Sequence, residues 1–113
     1  MKCTEMFYMY RDGDNYKFLK SILVSGNLTF EDIKPYLEGI DGLIPADVGI
    51  PSAHPVDQYK YEEDSDHPWH EINEGDFRTR TDVEAEFTKE EIIEAFRKAS
   101  EAGWPGQYSF EGW

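Results

Sequence analysis

The segment Phe87-Thr88-Lys89-Glu90-Glu91-Ile92 does most to limit what this chain can fold into, because it carries a complete set of helix-start signals. Thr88 stands as N-cap with Glu91 three residues on, the spacing at which the two side chains satisfy each other's free backbone N–H groups. Phe87 and Ile92 flank that box at the spacing of a hydrophobic staple. Ile92, Phe96 and Ala99 then fall on one face, Ile93 widens it, and Gly103 followed by Pro105 stops the helix. An amphipathic helix of this length is stable only against another apolar surface, so the rest of the chain must supply one. At 113 residues there is room for a single core, and the chain is read as one domain over residues 1–113.

Strands come first in the chain. Met6-Phe7-Tyr8-Met9-Tyr10 is an apolar, aromatic run suited to a strand covered on both faces, and Asp12-Gly13-Asp14-Asn15 closes it with turn-forming residues. The return segment from Tyr16 to Val24 fits two periods. Phe18, Ile22 and Val24 share a face at period two, interrupted by Lys20, whereas Leu19, Ile22 and Leu23 are spaced as on a helix. The turn before it and Val24-Ser25-Gly26 after it favour a hairpin.

A second helix start lies at Leu28-Thr29-Phe30-Glu31-Asp32-Ile33, where Thr29 caps, Asp32 suits the positive end and Leu28 staples to Ile33. Pro35 predicts a kink or a late start near Lys34, with an end by Gly39 or Gly42. Gly42-Leu43-Ile44 reads as a short buried strand. The stretch from Gly49 to Pro68 has no clear element, which is uncommon in a compact domain, so it packs down, carries function or conceals a strand. Trp69 to Asn73 and Phe77 to Val83 read as a second hairpin turning at Glu74-Gly75, with Phe77, Thr79, Thr81 and Val83 alternating with Arg78, Arg80 and Asp82. The tail from Gly103 to Trp113 is aromatic and irregular, and is expected to cap the core or present a contact surface. The expected fold is therefore α+β: a small, mainly antiparallel sheet with two helices packed on it and one long irregular loop.

The formal charge of −13 is unevenly spread. Residues 1–55 carry five basic and eight acidic side chains, net −3, and residues 56–113 carry six and sixteen, net −10. Such a field keeps a small protein soluble, repels nucleic acid and anionic membranes, and attracts cations or a basic protein partner. Cys3 is the single cysteine, so neither an intrachain disulfide nor a thiolate cluster for a metal is available. The N-terminal residues meet polar side chains at once, and no run approaches the roughly 18 apolar residues of a membrane span. Cytoplasmic location is the expectation.

Chemistry concentrates in Asp64-Ser65-Asp66-His67-Pro68-Trp69-His70-Glu71, which holds two of the three histidines. Imidazole and carboxylate suit zinc and other divalent metals, and His67 with His70 offers two nitrogens to one ion. On a strand these two side chains point to opposite faces and Pro68 disfavours a helix, so a metal site requires the segment to bend and to recruit Asp66, Glu71 or the distant His54. The structural alternative is simpler: Asp64 and Asp66 turn the chain, Pro68 fixes it, and Trp69 anchors it in the core. Acid–base work by His70 with Glu71 or Asp66 lacks any feature that fixes a substrate. No nucleophile elbow, phosphate-cradling loop or His-Glu-x-x-His helix is present, and Cys3 lies in an exposed-looking terminus without a histidine neighbour. Arg11 and Tyr16 flank the first turn and mark a second binding candidate. Against it, Asp12 and Asn15 satisfy the turn backbone while Arg11 or Lys17 pairs with surplus acid.

Three blocks of the sequence carry a resemblance: Tyr10-Arg11-Asp12 with Asn15-Tyr16-Lys17, Ile44-Pro45 with Val48-Gly49-Ile50-Pro51, and Asp66-His67-Pro68-Trp69-His70-Glu71. Over roughly residues 8 to 72 the chain resembles a family of small, uncharacterised bacterial proteins. The resemblance implies a bacterial cytoplasmic protein and brings no activity, cofactor or partner with it.

Two functional readings follow. The first is a non-enzymatic, acidic protein-interaction module meeting a basic protein surface, without cofactor, with Asp66, His67, Trp69, His70, Glu71, Arg11 and Tyr16 as binding residues. A duplex-mimicking inhibitor is one version, and it requires carboxylates in rows on one face. The alternative is a small metal-assisted, hydrolase-like enzyme in which His67, His70, Asp66, Glu71 and His54 hold a divalent metal such as zinc. Self-association, where it occurs, is expected to give a twofold homodimer, although no heptad seam is present.

Overall fold

A computed structural model of the chain describes residues 2–54 and 66–108. The readings that fall on Asp64, on the rest of residues 55–65 and on the end of the aromatic tail lie outside these residues. The architecture is α+β, a six-stranded and mostly antiparallel sheet with two α-helices.

The first hairpin pairs β1 (Cys3–Arg11) with β2 (Lys17–Ser25) along nine residues each, from Cys3 opposite Ser25 to Arg11 opposite Lys17. The strand period therefore prevails over the helical one in residues 17–25. Asp12 sets the turn, its carboxylate accepting from the backbone N–H groups of Asp14 and Tyr16 at 2.9 Å each, and Asn15 takes the left-handed conformation at φ 67°. Met6, Tyr8 and Tyr10 of β1 face the core together with Ile22 and Val24 of β2. Cys3 is buried too, at 1% exposure, and its thiol donates to the Val83 carbonyl at 3.6 Å, which corrects the exposed terminus expected for it. Nine regular residues in a buried strand leave its first position nowhere else to go.

The helix that starts at Thr29 is short. Four residues are helical in α1 (Phe30–Ile33), and Pro35 limits the continuation to one 3₁₀ turn over Lys34–Tyr36, so the helix ends before Gly39. Leu28 and Ile33, the two staple positions, are both buried. Gly42–Leu43 forms β3, pairing antiparallel with β4 (His70–Glu71). The expected second hairpin is not one. β4 lies against Met9 and Tyr10, β5 (Phe77–Arg80) lies against Cys3 to Met6, and both run antiparallel to β1 on the same edge. Glu74-Gly75 does not reverse the chain. It sits in a 3₁₀ turn over Glu74–Asp76, fixed by a capping box between Asn73 and Asp76, so β4 and β5 act as one strand interrupted by a turn.

β6 (Phe87–Thr88) pairs in parallel with Val24 and Ser25 and leads directly into α2 (Lys89–Glu101). The capping box forms as expected: Thr88 Oγ1 accepts from Glu91 N–H at 3.1 Å and Glu91 Oε1 accepts from Thr88 N–H at 2.9 Å. Ile92, Phe96 and Ala99 are buried against the core face of the sheet. After Gly103, Trp104 turns back at φ 53° and seats its ring beside Phe96 and Trp69, with centroids 6.1 Å from each. The start of the tail thus caps the core. The opposite face of the sheet carries Glu5, Phe7, Met9, Leu19 and Leu23, half-buried or exposed, with the Arg78 guanidinium 5.7 Å from the Phe7 ring centre and Arg80 paired to Glu5 at 2.8 Å.

Two substitutions separate the local from the tertiary stabilisation of α2. Thr88→Ala is expected to lower the unfolding free energy by about 1 kcal/mol through the lost cap. Phe96→Ala is expected to cost about 3–5 kcal/mol through the cavity beside Trp104, both read from urea denaturation midpoints at unchanged slope.

Candidate functional site

Tyr10 ends the core-facing row of β1 beside only two residues of β4, so irregular chain closes over it. It is fully buried, and all three histidines of the protein gather around its ring, His54 at 5.0 Å and His67 and His70 at 5.2 Å between centroids. Sequence spacing alone set His67 and His70 on opposite sides. They converge because the chain bends at Pro68 before β4 begins, so only His70 obeys strand alternation.

The polar atoms of this cluster are largely used by one another. Tyr10 Oη donates to Asp66 Oδ1 at 2.5 Å and accepts from the His67 backbone N–H at 3.3 Å. His54 Nε2 lies 3.1 Å from the same Asp66 oxygen. His67 Nε2 donates to the Arg11 carbonyl at 2.7 Å, which fixes its tautomer and leaves its Nδ1 buried with no hydrogen-bond partner among the described residues. His70 Nδ1 donates to the Pro68 carbonyl at 2.9 Å, while its Nε2 accepts from Ala53 N–H at 3.0 Å and lies 3.3 Å from the Ser52 hydroxyl. Both nitrogens of His70 are therefore committed in the neutral form. Next to this cluster, the Tyr8 hydroxyl donates to the Pro51 carbonyl.

Burial sets the protonation states. It pushes the Tyr10 phenol up, assisted by the hydrogen bond to Asp66, and it pushes the Tyr8 phenol up as well, so both remain neutral donors. Burial also pushes His70 down from 6.5 to about 4, against the contrary pull of the Pro68 carbonyl. A neutral, doubly bonded imidazole and two neutral phenols thus lie together in the interior.

The other candidates fall elsewhere. Glu71 alternates to the far side of β4 and pairs with Arg11 at 3.2 Å, away from the imidazoles. Trp69 is half-buried against Trp104 and anchors the bend. Tyr16 is exposed beside the first turn, and Arg11 is tied to Glu71 and, at 3.3 Å, to Asn15, so the two do not form one site with the histidines. Among the described residues no group of three His, Cys, Asp or Glu side chains is placed to hold a metal ion. Sequence reasoning missed Tyr10 as the hub and Tyr8, Ser52 and Ala53 as members. The available signal was the alternation of Tyr8 and Tyr10 at period two, which places two phenols in the interior where each needs a partner. It also missed a cleft of about 250 Å³ between the start of α1 and β5, walled by Leu28, Phe30 and Phe77 with Glu31 and Arg78 at its polar side. Its walls come from segments far apart in sequence.

Three blocks of the sequence meet here: Tyr10 from Tyr10-Arg11-Asp12, Pro51 through Tyr8 from Val48-Gly49-Ile50-Pro51, and Asp66, His67 and His70 from the segment 66–71. Compared with protein-family models, with curated proteins and with solved structures, the chain matches none.

The commitment of His70 makes stability depend on pH. An unfolded histidine takes up a proton near 6.5, whereas folded His70 resists it until about 4. Its contribution is therefore complete above pH 6.5 and is lost as pH falls through that window, by about 3 kcal/mol in total. The difference between wild-type and His70→Gln unfolding free energies, followed from pH 7 to pH 4, is expected to shrink by that amount, and the ¹⁵N shifts of His70 should report the Nδ1–H neutral tautomer at pH 5.

Proposed function

We propose that the protein is a non-enzymatic interaction module that meets a basic protein surface through its carboxylates. The observation that supports this reading is the division of labour among polar groups. The histidine, tyrosine and aspartate side chains that looked chemically equipped are spent holding irregular chain in the core, whereas carboxylates are left to solvent. Glu38, Glu74, Glu84 and Glu90 are exposed and make no ion pair among the described residues. They come from a turn, a capped 3₁₀ turn, a loop and the first turn of α2, so the negative field is borne by several elements. These four carboxylates belong to four separate elements and not to one row. On α2 the Arg97 guanidinium binds both Glu94 and Glu101, which argues against the duplex-mimicking version.

The same reading places the protein in the cytoplasm, and a single buried thiol is compatible with a reducing compartment. No helix among the described residues is long and apolar enough to cross a membrane. The metal-assisted alternative keeps one feature in its favour, the buried Nδ1 of His67, which has no partner among the described residues. To recruit His70 through Nε2, a zinc ion would have to displace the Ala53 N–H that this nitrogen accepts.

Capture from the native cell, with metal analysis of the same preparation, tests the proposal. The expected result is a retained protein with a basic surface that is released near 1 M salt, where the screening length falls to about 3 Å. Retention should drop about tenfold or more for a Glu84→Lys/Glu90→Lys variant of unchanged circular dichroism. Retention indifferent to both salt and charge reversal, or stoichiometric zinc lost on His67→Ala, would sink the reading.

A further inference from the structure

β2 is paired along its whole length with β1, but its other edge is covered only at one end. β6 takes Val24 and Ser25, and Glu86 takes both free groups of Leu23, its backbone N–H donating to the Leu23 carbonyl at 2.8 Å and its carboxylate accepting from Leu23 N–H at 2.8 Å. Because Leu23 points its backbone groups away from β1 and direction alternates along an antiparallel strand, Lys17, Leu19 and Ser21 point theirs outward as well. Among the described residues nothing pairs with them. The Leu19 side chain in the middle of this edge is 71% exposed, and Lys17 and Lys20 are exposed and make no ion pair among the described residues. An open edge with an exposed leucine is a template for another strand. Lysines ordinarily discourage such pairing, so the register decides whether they do so here.

The geometry points to a second copy of this chain as the occupant of the edge, β2 pairing antiparallel with β2 of the second copy about a twofold axis at Leu19. An axis through an outward-pointing residue sets the open N–H and C=O groups of both strands face to face. At Leu19 it makes three hydrogen-bonded pairs, Lys17 with Ser21, Leu19 with Leu19, and Ser21 with Lys17, each exchanging two hydrogen bonds. No lysine then faces a lysine. Lys17 lies opposite the Ser21 of the second copy, whose hydroxyl donates to Glu5 at 2.8 Å, so its ammonium gains a carboxylate within reach. Lys20 lies on the other face opposite Phe18, where an ammonium meets an aromatic ring. The two leucines cover each other at the axis. Two copies of net −13 repel each other, and Lys17 and Lys20 on this edge lower that repulsion where the two copies would meet. An acidic strand from another protein would also answer the lysines, but nothing fixes its register, whereas the twofold pairing fixes every contact from one sequence.

Sedimentation equilibrium of the full chain tests the association, and two substitutions test the register. The chain is expected to show a concentration-dependent monomer–dimer equilibrium. Leu19→Lys, at a side chain 71% exposed in the monomer, sets two ammonium groups opposite each other and should raise the dimer dissociation constant about tenfold or more at unchanged circular dichroism. Leu19→Cys should form a disulfide-linked dimer under mild oxidation, because opposed residues of a hydrogen-bonded pair have Cα atoms about 5.5 Å apart. Lys17→Cys should not, its two copies lying about 14 Å apart along the strands. Cys3, buried in both, serves as the unsubstituted background. A monomer at every concentration, a dimer indifferent to Leu19→Lys, equal cross-linking at positions 17 and 19, or a monomer that instead takes an acidic strand of another protein on this edge overturns the proposal.

Discussion

β1 is buried and paired on both edges, and that double pairing organises everything around it. A buried N–H or C=O left without a partner costs about 1–3 kcal/mol, so a nine-residue strand whose residues are all buried or half-buried needs a neighbour on each side. β2 supplies one side completely. The other side is supplied in two pieces, β4 and β5, because the chain between Asn73 and Asp76 turns tightly without reversing. With both edges occupied, β1 has no freedom of register, and Met6, Tyr8 and Tyr10 are committed to the face that α2 covers.

That commitment explains the polar cluster. Tyr8 and Tyr10 arrive in the interior with hydroxyls that must be bonded, and the chain lying over them, around residues 50–54 and 66–70, has little regular pairing of its own. Side chains take over the work of a sheet ladder. Tyr8 serves the Pro51 carbonyl, His70 serves Ala53 N–H and the Pro68 carbonyl, His67 serves the Arg11 carbonyl, Tyr10 serves His67 N–H, and Ser52 serves His54 N–H. Histidine suits this role because a neutral imidazole offers one donor and one acceptor, and both are used in His70. The clustering of three histidines thus has a physical cause in the packing of irregular chain.

What could be read from the sequence divides along the range of the interactions involved. The capping box of α2 is specified within four residues, so Thr88 and Glu91 form it as their spacing requires. The first turn is equally local, through Asp12 and Asn15. Pro35 was legible as an interruption, but its effect in shortening α1 to four residues depended on how Leu37 and Tyr36 pack. The pairing of β4 and β5 with β1 was not legible, because alternation marks a strand without naming its neighbour, and Glu74-Gly75 suits a 3₁₀ turn as well as a hairpin. The site was half legible. Asp66, His67, His70 and His54 were picked out and do meet, whereas Glu71 was misplaced to the same cluster by proximity in sequence. Tyr10, their centre, was hidden in an apolar run where its role as a bonding partner has no local signature.

Charge and shape then fall on different parts of the molecule. The carboxylates that do not cap, pair or turn the chain are carried on loops and on the outer side of α2, where mutual repulsion is least costly to the fold. The hairpin carries the contrary charge. Arg11 and Lys17 at the turn end of the hairpin, with Arg78 and Arg80 beside it on β5, put four cations on the sheet face away from the helices, and Lys20 lies on the other face of β2. Two of these cations are neutralised in place, Arg11 by Glu71 and Arg80 by Glu5. Among the described residues Lys17 and Lys20 are not, and they flank an exposed leucine on an edge whose backbone groups are open there. A monomer gains nothing from that arrangement in its own packing, and a strand added at the edge gains from all three side chains at once.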